Sequence, residues 1–182
     1  MATYGSKELA ESFRTVRKNT LVAAMDIPED RYDFRPAPGS RTVEKQLTHI
    51  ALAYRFQHQI QAVEKRSSLD GFDFPALMAK LAAEEAKPRT KKQVVDLLES
   101  EGEIWAAFLD GASNEFLSQS VHFSATPPAS KSRLEMMMSV KEHEMHHRGQ
   151  IMLIQRMLGV VPHLTREREA RMAQTQAAPR PA

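Results

Sequence analysis

The sequence of 182 residues contains no cysteine, which excludes disulfides, thiolate metal ligands and a cysteine nucleophile. It also lacks an apolar run long enough to span a bilayer and an apolar N-terminal segment of the secretory type. Its 25 basic and 23 acidic residues nearly balance, so charge gives no basis for a nucleic-acid or membrane partner. We therefore expect a cytoplasmic protein, long enough to form one domain with a substantial core.

No segment shows the alternation of apolar and polar residues that is typical of a half-buried strand, whereas four long segments repeat at helical spacing. The third of them begins at a capping box from Thr90 to Gln93 and ends near Asp110. A short extra helix is expected before it, with Pro75 at its first position. The pattern predicts an all-α four-helix bundle with one long crossover. The other predicted helices cover residues 7–25, 43–64, 75–86 and 132–158.

The connections and the C-terminal end set the predicted domain limits. Residues 114–130 form the long connection, and their apolar patch around His122 is too short to predict a strand. The bundle is predicted to span residues 1–162. Residues 163–182 are expected to form a polar tail, because they contain almost no large apolar side chains. Within that tail we expect a solvated helix over residues 164–172 and disorder from residue 174 onward.

Two histidines stand one turn apart on the predicted inner face of the last long helix. His143 and His147 are separated by four residues, so both point in the same direction. Burying two unpaired imidazoles among apolar side chains costs free energy, and a metal ion is the partner that this spacing suits best. The stripe consists of Met136, Val140, His143, His147, Ile151, Ile154 and Leu158.

His49 is the candidate for a third ligand. It lies on the inward edge of the second helix, where a histidine taken alone is more often a hydrogen-bonded core residue. If the second and fourth long helices are neighbours, His49 joins His143 and His147 in a three-histidine site. Three protein ligands leave coordination positions open for water or substrate, which is the catalytic arrangement. Imidazole ligands suit zinc and nickel among other metals, so the ligands do not specify the ion.

The remaining polar candidates carry weaker signals. His146 is expected on the surface. The alternatives are a position next to the metal ligands or at a subunit interface. His58 is expected to be solvated, and His122 and His163 fall in connections. Arg148 would bind an anionic substrate group if it faced the pocket. The alternative is that it forms an exposed ion pair.

The two histidine motifs resemble those of the DinB/YfiT-like family. They are Thr48-His49-Ile50-Ala51 in the second helix and the final-helix run from His143 to Gln150. The resemblance extends over roughly residues 7–159. It implies a four-helix bundle with a long crossover, frequent homodimers, and a divalent metal, often nickel or zinc, held by His49, His143 and His147. Family members of known activity include thiol-dependent transferases and an isomerase, which implies a small-molecule substrate and a low-molecular-weight thiol.

The same run also matches the H-E-x-x-H pattern of zinc peptidases. In that interpretation Glu144 is the general base and Glu167, 24 residues after His143, is the third ligand, with Glu169 close by. We favour it less, because no strand is predicted to hold a peptide and the segment around Glu167 is highly charged. Gly149 also lies one residue too early for the extended metalloprotease motif. Without the peptidase role, Glu144 is either a base near the metal or, as we expect, a solvated helix residue.

Three functional hypotheses follow from these patterns. The first is a metal-dependent enzyme, a transferase or hydrolase, acting on a small molecule through the three-histidine site. The second is a dimeric bundle whose metal site is structural or vestigial. The third is the peptidase that uses Glu167.

Overall fold

Four long helical segments form a bundle in the computed structural model of the protein, which describes residues 4–123 and 128–177. A single 3₁₀ turn, Glu29–Arg31, follows the first helix, and a π-helical turn, Gln59–Val63, follows the third. In chain order the helices are α1 (Ser6–Asp26), α2 (Val43–Leu52), α3 (Tyr54–His58), α4 (Phe74–Ala86), α5 (Lys91–Gly111), α6 (Asn114–Ser118), α7 (Arg133–Met157) and α8 (His163–Ala177), and the strands are β1 (Ser120–His122) and β2 (Ser130–Ser132).

The four long segments pack in the order expected of a bundle. Both α1 and α2 lie against α5 and α7, so α1 and α2 occupy opposite corners. Two clusters of fully buried side chains, one around Leu47 and one around Trp105, fill the centre. The predicted all-α bundle and the short extra helix, α4, are therefore confirmed. The contact between α2 and α7 also meets the condition on which the three-histidine prediction depended.

Side-chain caps begin the helices where the sequence indicates. The Thr90 hydroxyl accepts from the Gln93 backbone N–H, and the Gln93 side chain accepts from the Thr90 N–H, which completes the predicted capping box of α5. At the start of α2, the Thr42 hydroxyl accepts from the backbone N–H of Lys45, without the reciprocal bond. The short helix α4 begins one residue earlier than predicted, because the Asp73 carboxylate caps it and Pro75 takes its second position.

The predicted helix over residues 43–64 is not continuous. It is interrupted at Ala53, and its last turn is π-helical, with the Glu64 N–H donating to the carbonyl of Gln59. Ile60 and Gln61 of this wider turn are both fully buried. Within this turn, the side-chain oxygen of Gln61 accepts a hydrogen bond from the guanidinium of Arg133 at 2.6 Å.

The connection after α6 contains a strand pair that the sequence pattern did not predict. Three residues of β1 pair antiparallel with three of β2, with Val121 opposite Lys131. Such a short pair has too few residues to show alternation. The pair holds the chain where it enters α7.

The C-terminal helix is longer than expected. Residues 164–172 are helical and mostly exposed, as predicted, but α8 continues to Ala177, so the expectation of disorder is wrong for residues 174–177. Residues 178–182, the rest of that prediction, lie outside the described part of the chain. His163 opens α8 and is buried against Asn19 of α1. None of the described helices is long and apolar enough to cross a membrane.

Candidate metal centre

Three imidazoles from two neighbouring helices meet at one side of the bundle. His49 lies in the last turn of α2, and His143 and His147 lie one turn apart on α7. The Nε2 atom of His143 is 3.3 Å from Nε2 of His49 and 3.1 Å from Nε2 of His147. The structure thus brings together the three residues that the sequence singled out, and all three side chains are half-buried.

Hydrogen bonds at the opposite ring nitrogens fix which atoms face the centre. Nδ1 of His49 donates to Oε1 of Glu85 at 2.8 Å, and Nδ1 of His147 donates to Oε1 of Gln150 at 2.8 Å. In a neutral imidazole the second nitrogen then carries a lone pair. The Nε2 atoms of His49 and His147 therefore both present a lone pair to Nε2 of His143. A proton on that nitrogen can form a full hydrogen bond to only one of them.

A divalent transition metal fits this donor set. Two nitrogens bound at about 2.0–2.1 Å to one tetrahedral ion lie about 3.3–3.4 Å apart. The measured Nε2 separations of 3.3 and 3.1 Å are close to that spacing. His49 and His147 also present their lone pairs without rearrangement of the hydrogen bonds at Nδ1, which is the usual arrangement of a metal-binding histidine.

Burial and mutual repulsion favour the neutral form of the two imidazoles on α7. Burial, together with the nearby His147 and His49, lowers the pKa of His143 to about 4. Burial also lowers the pKa of His147, and this effect outweighs its hydrogen bond to Gln150. Because only the neutral ring donates a lone pair to a metal, these shifts keep His143 and His147 available as ligands at neutral pH.

Glu85 of α4 is a functional residue that the sequence analysis missed. Its carboxylate accepts the Nδ1 proton of His49 and so orients that ring. Burial raises the pKa of Glu85, but the hydrogen bond from His49 and the surrounding positive charge outweigh it, so the net pKa is below its usual value. The ammonium group of Lys45, one turn before His49, donates to the carbonyls of Glu85, Ala86 and Lys87 and so anchors the end of α4. No periodicity links α4 to α2, so only the tertiary structure identifies this contact.

Gln150 plays the equivalent part for His147, and its spacing of three residues offered a signal. Its amide oxygen accepts from His147, while its amide nitrogen donates to Nε2 of His146 at 3.2 Å. His146 is exposed, as predicted, but it also fixes the orientation of the amide that holds His147. It does not belong to the converging group of three.

Two clefts open beside the three imidazoles. His49 and His143 line the first, a cleft of about 510 Å³ between α2, α4 and α7 whose walls are mainly apolar. His147 lines the second, a more polar cleft of about 680 Å³. Arg41, the residue before the cap of α2, lines both. The centre is thus reachable by small molecules from two sides.

Glu144 is buried rather than solvated. Its carboxylate and the guanidinium of Arg17 are only 2% and 5% exposed and pair at 2.9 Å. Arg17 also donates to the carbonyls of Leu98 and Ile50, so the pair ties α1 to α2, α5 and α7. Glu144 lines neither cleft beside the imidazoles. The weak catalytic candidate is therefore a structural residue, and the sequence could not show this because its partner lies on α1.

Two further expectations about charged and titratable residues were wrong. Arg148 does not line a cleft beside the centre, and it forms no ion pair with the residues that the structure describes, since it is half-buried and donates to the carbonyl of Val16. His58 is half-buried against the rings of Trp105 and Phe108, and burial lowers its pKa.

The third ligand of the peptidase hypothesis is not at the centre. Among the described residues, the group that converges with His143 and His147 contains His49 and does not contain Glu167. Glu167 is an exposed residue of α8. Glu144, the general base of that hypothesis, is held by Arg17. The geometry therefore favours the three-histidine site.

Comparisons with known proteins agree with this architecture. A family model described as the DinB superfamily matches residues 12–151. The solved structures that resemble the fold include a DinB-like protein, YjoA, from Bacillus subtilis, with a TM-score of 0.62 and 19% sequence identity. That alignment covers 84% of this chain and 92% of the other, and at this identity it supports the fold alone. No protein of curated function matches the sequence.

Proposed function

The chain belongs to the DinB superfamily, and from that premise we propose that it is a metal-dependent enzyme acting on a small molecule. The metal is a divalent transition ion, zinc or nickel, and the ligands are His49, His143 and His147. The observation that carries the proposal is the convergence of the Nε2 atoms of three histidines beside two open clefts.

The chain's own residues contribute orientation and access. Glu85 and Gln150 hold the rings of His49 and His147 by their Nδ1 protons, so the lone pairs point to one place. Helix α4 covers one side of the centre and leaves the apolar cleft open. An ion held by three imidazoles lowers the pKa of a bound water or thiol and so provides a nucleophile near neutral pH.

The size and position of the two clefts support group transfer to a small molecule, or hydrolysis of one. Clefts of about 510 and 680 Å³ are of the size that holds a small ligand. Because the clefts flank the centre, a low-molecular-weight thiol in one and an electrophile in the other would meet there. The homodimer that the family implies is part of the same proposal, and analytical ultracentrifugation would test it.

Metal content of the purified, tag-free protein tests the proposal directly. We expect about one equivalent of a transition metal in the wild type and a large loss in His49→Ala. The matched control is His146→Ala, which removes an exposed imidazole from outside the converging group. That control should retain most of the metal, with at most the small loss expected from freeing Gln150.

The other outcomes separate the alternatives. Full metal retention in His49→Ala would refute the three-histidine site, and loss in Glu167→Ala would then revive the peptidase hypothesis. A wild type that takes up neither zinc nor nickel would favour the bundle without a working metal site. A protein that binds metal but neither transfers thiols nor hydrolyses small electrophiles would support a structural metal.

A further inference from the structure

We infer that the apolar cleft binds a small molecule with an apolar body and one carboxylate, and that Arg41 holds the carboxylate. This inference deepens the proposed function, on which it rests for the statement that the ligand is a substrate. It assigns Arg41 a role in specificity that neither histidine motif suggests.

The walls of the cleft select the apolar body. Phe56, Met78, Leu81 and Val140 line it together with the small side chain of Ala53. Met78, one of these wall residues, is 52% exposed and so offers apolar surface that a ligand would cover. Burial of apolar surface by such a ligand supplies binding free energy in proportion to the area removed from water.

Arg41 is the only arginine or lysine among the described residues that line either cleft beside the centre. Its side chain is 43% exposed, and its one approach to a carboxylate is 4.0 Å, to Oε2 of Glu85. By contrast, the guanidinium of Arg17 makes several close bonds to Glu144, and Arg55 pairs closely with a buried glutamate. Within the described parts of the chain, the Arg41 fork thus keeps its hydrogen-bonding capacity for a ligand.

The neighbourhood of Arg41 restricts the charge of that ligand. A planar guanidinium fork matches a carboxylate through two parallel hydrogen bonds. Glu85 lies 4.0 Å from the same guanidinium, and its other oxygen is occupied by His49. A second negative charge on the ligand would therefore be repelled by Glu85. This favours a monoanion over a phosphate dianion.

The position of Arg41 also relates the carboxylate to the metal centre. The cleft that Arg41 lines is lined on the same side by His49 and His143. A molecule held at Arg41 by its carboxylate and in the cleft by its apolar body therefore lies against the imidazoles. Arg41 would orient the molecule and would take no part in bond making.

Binding of phenylbutyrate and of its uncharged amide, measured by calorimetry on the full chain, tests the inference. The first titrations use metal-free protein, so that direct ligation of the carboxylate to a metal does not contribute. We expect the wild type to prefer the acid by about tenfold, the scale of one charge-assisted hydrogen bond. Arg41→Ala should bind acid and amide equally, and Arg41→Lys should keep part of the preference. The control Arg31→Ala removes an exposed charge outside both clefts and should behave as the wild type.

A second pair of variants tests the cleft itself. Ala82→Trp places a large side chain in the cleft and should abolish binding of both probes, whereas the exposed neighbour Ala83→Trp should leave binding unchanged. Equal binding of acid and amide to the wild type, or an undiminished preference in Arg41→Ala, would overturn the role of Arg41. Binding that survives Ala82→Trp, or no binding to the wild type, would overturn the cleft assignment. Metal content is measured separately, so failure of the metal site is distinguishable from failure here.

Discussion

Replacement of Glu85 offers the sharpest test of how the centre is built. The carboxylate accepts the Nδ1 proton of His49 at 2.8 Å in a half-buried position. Glu85→Ala removes the acceptor, so the ring is free to rotate and its Nε2 becomes less basic. Glu85→Gln keeps an acceptor oxygen but removes the charge. Neither variant replaces a proposed metal ligand.

The expected loss of affinity follows from the role of such outer partners. Removing a carboxylate that orients a ligating histidine weakens metal binding by about 10- to 100-fold, or about 1.4–2.8 kcal/mol. We expect Glu85→Ala near the upper end of this range, because Nδ1 would lose its partner in a partly buried site. Glu85→Gln should lie near the lower end, because the hydrogen bond survives without the charge.

Competition against a chromophoric zinc chelator at fixed pH and ionic strength gives the affinities. The matched control is Glu84→Gln, which removes the neighbouring carboxylate, one that pairs with Lys87 and Arg89 rather than with a histidine. Its zinc affinity should stay within about twofold of the wild type. If Glu85→Ala also stayed within that limit while remaining folded, the argument that α4 helps to build the centre would be refuted.

Three predictions concern the scaffold rather than the metal. Breaking the buried pair through Arg17→Met or Glu144→Gln should lower the free energy of unfolding by about 3–5 kcal/mol, because a buried charge loses its partner. Urea denaturation measures this, and a loss below about 1 kcal/mol would contradict it. Gly102→Ala should destabilise by about 1–3 kcal/mol, because a Cβ there would lie 2.8 Å from Cγ of Arg17, whereas Gly111→Ala meets nothing within 4 Å and serves as the control. Burial raises the pKa of Glu101, but hydrogen bonds from Tyr54 and Arg55 of α3 outweigh burial, so the net pKa is below its ordinary value. Its stabilising contribution should therefore be complete above the ordinary value of 4.5 and fall as the pH drops through the folded-state pKa. Urea titrations from pH 7 to about pH 3 should show the wild type losing its advantage over Glu101→Gln in that window, and a pH-independent difference would contradict the assignment.

Periodicity and capping patterns were enough to predict the features that depend on one helix at a time. The spacing of His143 and His147 fixes a common direction on one helix, and the capping box at Thr90 fixes where another begins. His49 was included on the condition that α2 and α7 are neighbours, which the structure meets, and through the resemblance of its motif to the DinB/YfiT-like family. Helical geometry alone placed His49 on the inward edge of α2 and did not choose its neighbour.

The contacts that the sequence analysis missed are those between elements without a shared pattern. Glu85 reaches His49 from α4, and Arg17 reaches Glu144 from α1, across separations of 36 and 127 residues. A glutamate on a helix is solvated in most cases, so Glu144 gave no sign that it would be buried. The π-helical turn after α3 likewise depends on a tertiary contact, since Gln61 is turned inward to meet Arg133.

The buried pair of Arg17 and Glu144 has a consequence for the relation between folding and metal binding. Glu144 follows His143 directly in the chain and lies about 100° around the helix from it, so the ion pair fixes the rotation of α7 about its axis from a neighbouring face. Small zinc domains fold only when the ion arrives, and part of the binding free energy is then spent in ordering the chain. Here the ligands are preorganised by contacts that involve no metal. If the proposed ion is bound, the folded chain should therefore survive its removal and accept another, and the cellular supply of metals would decide which ion occupies the site.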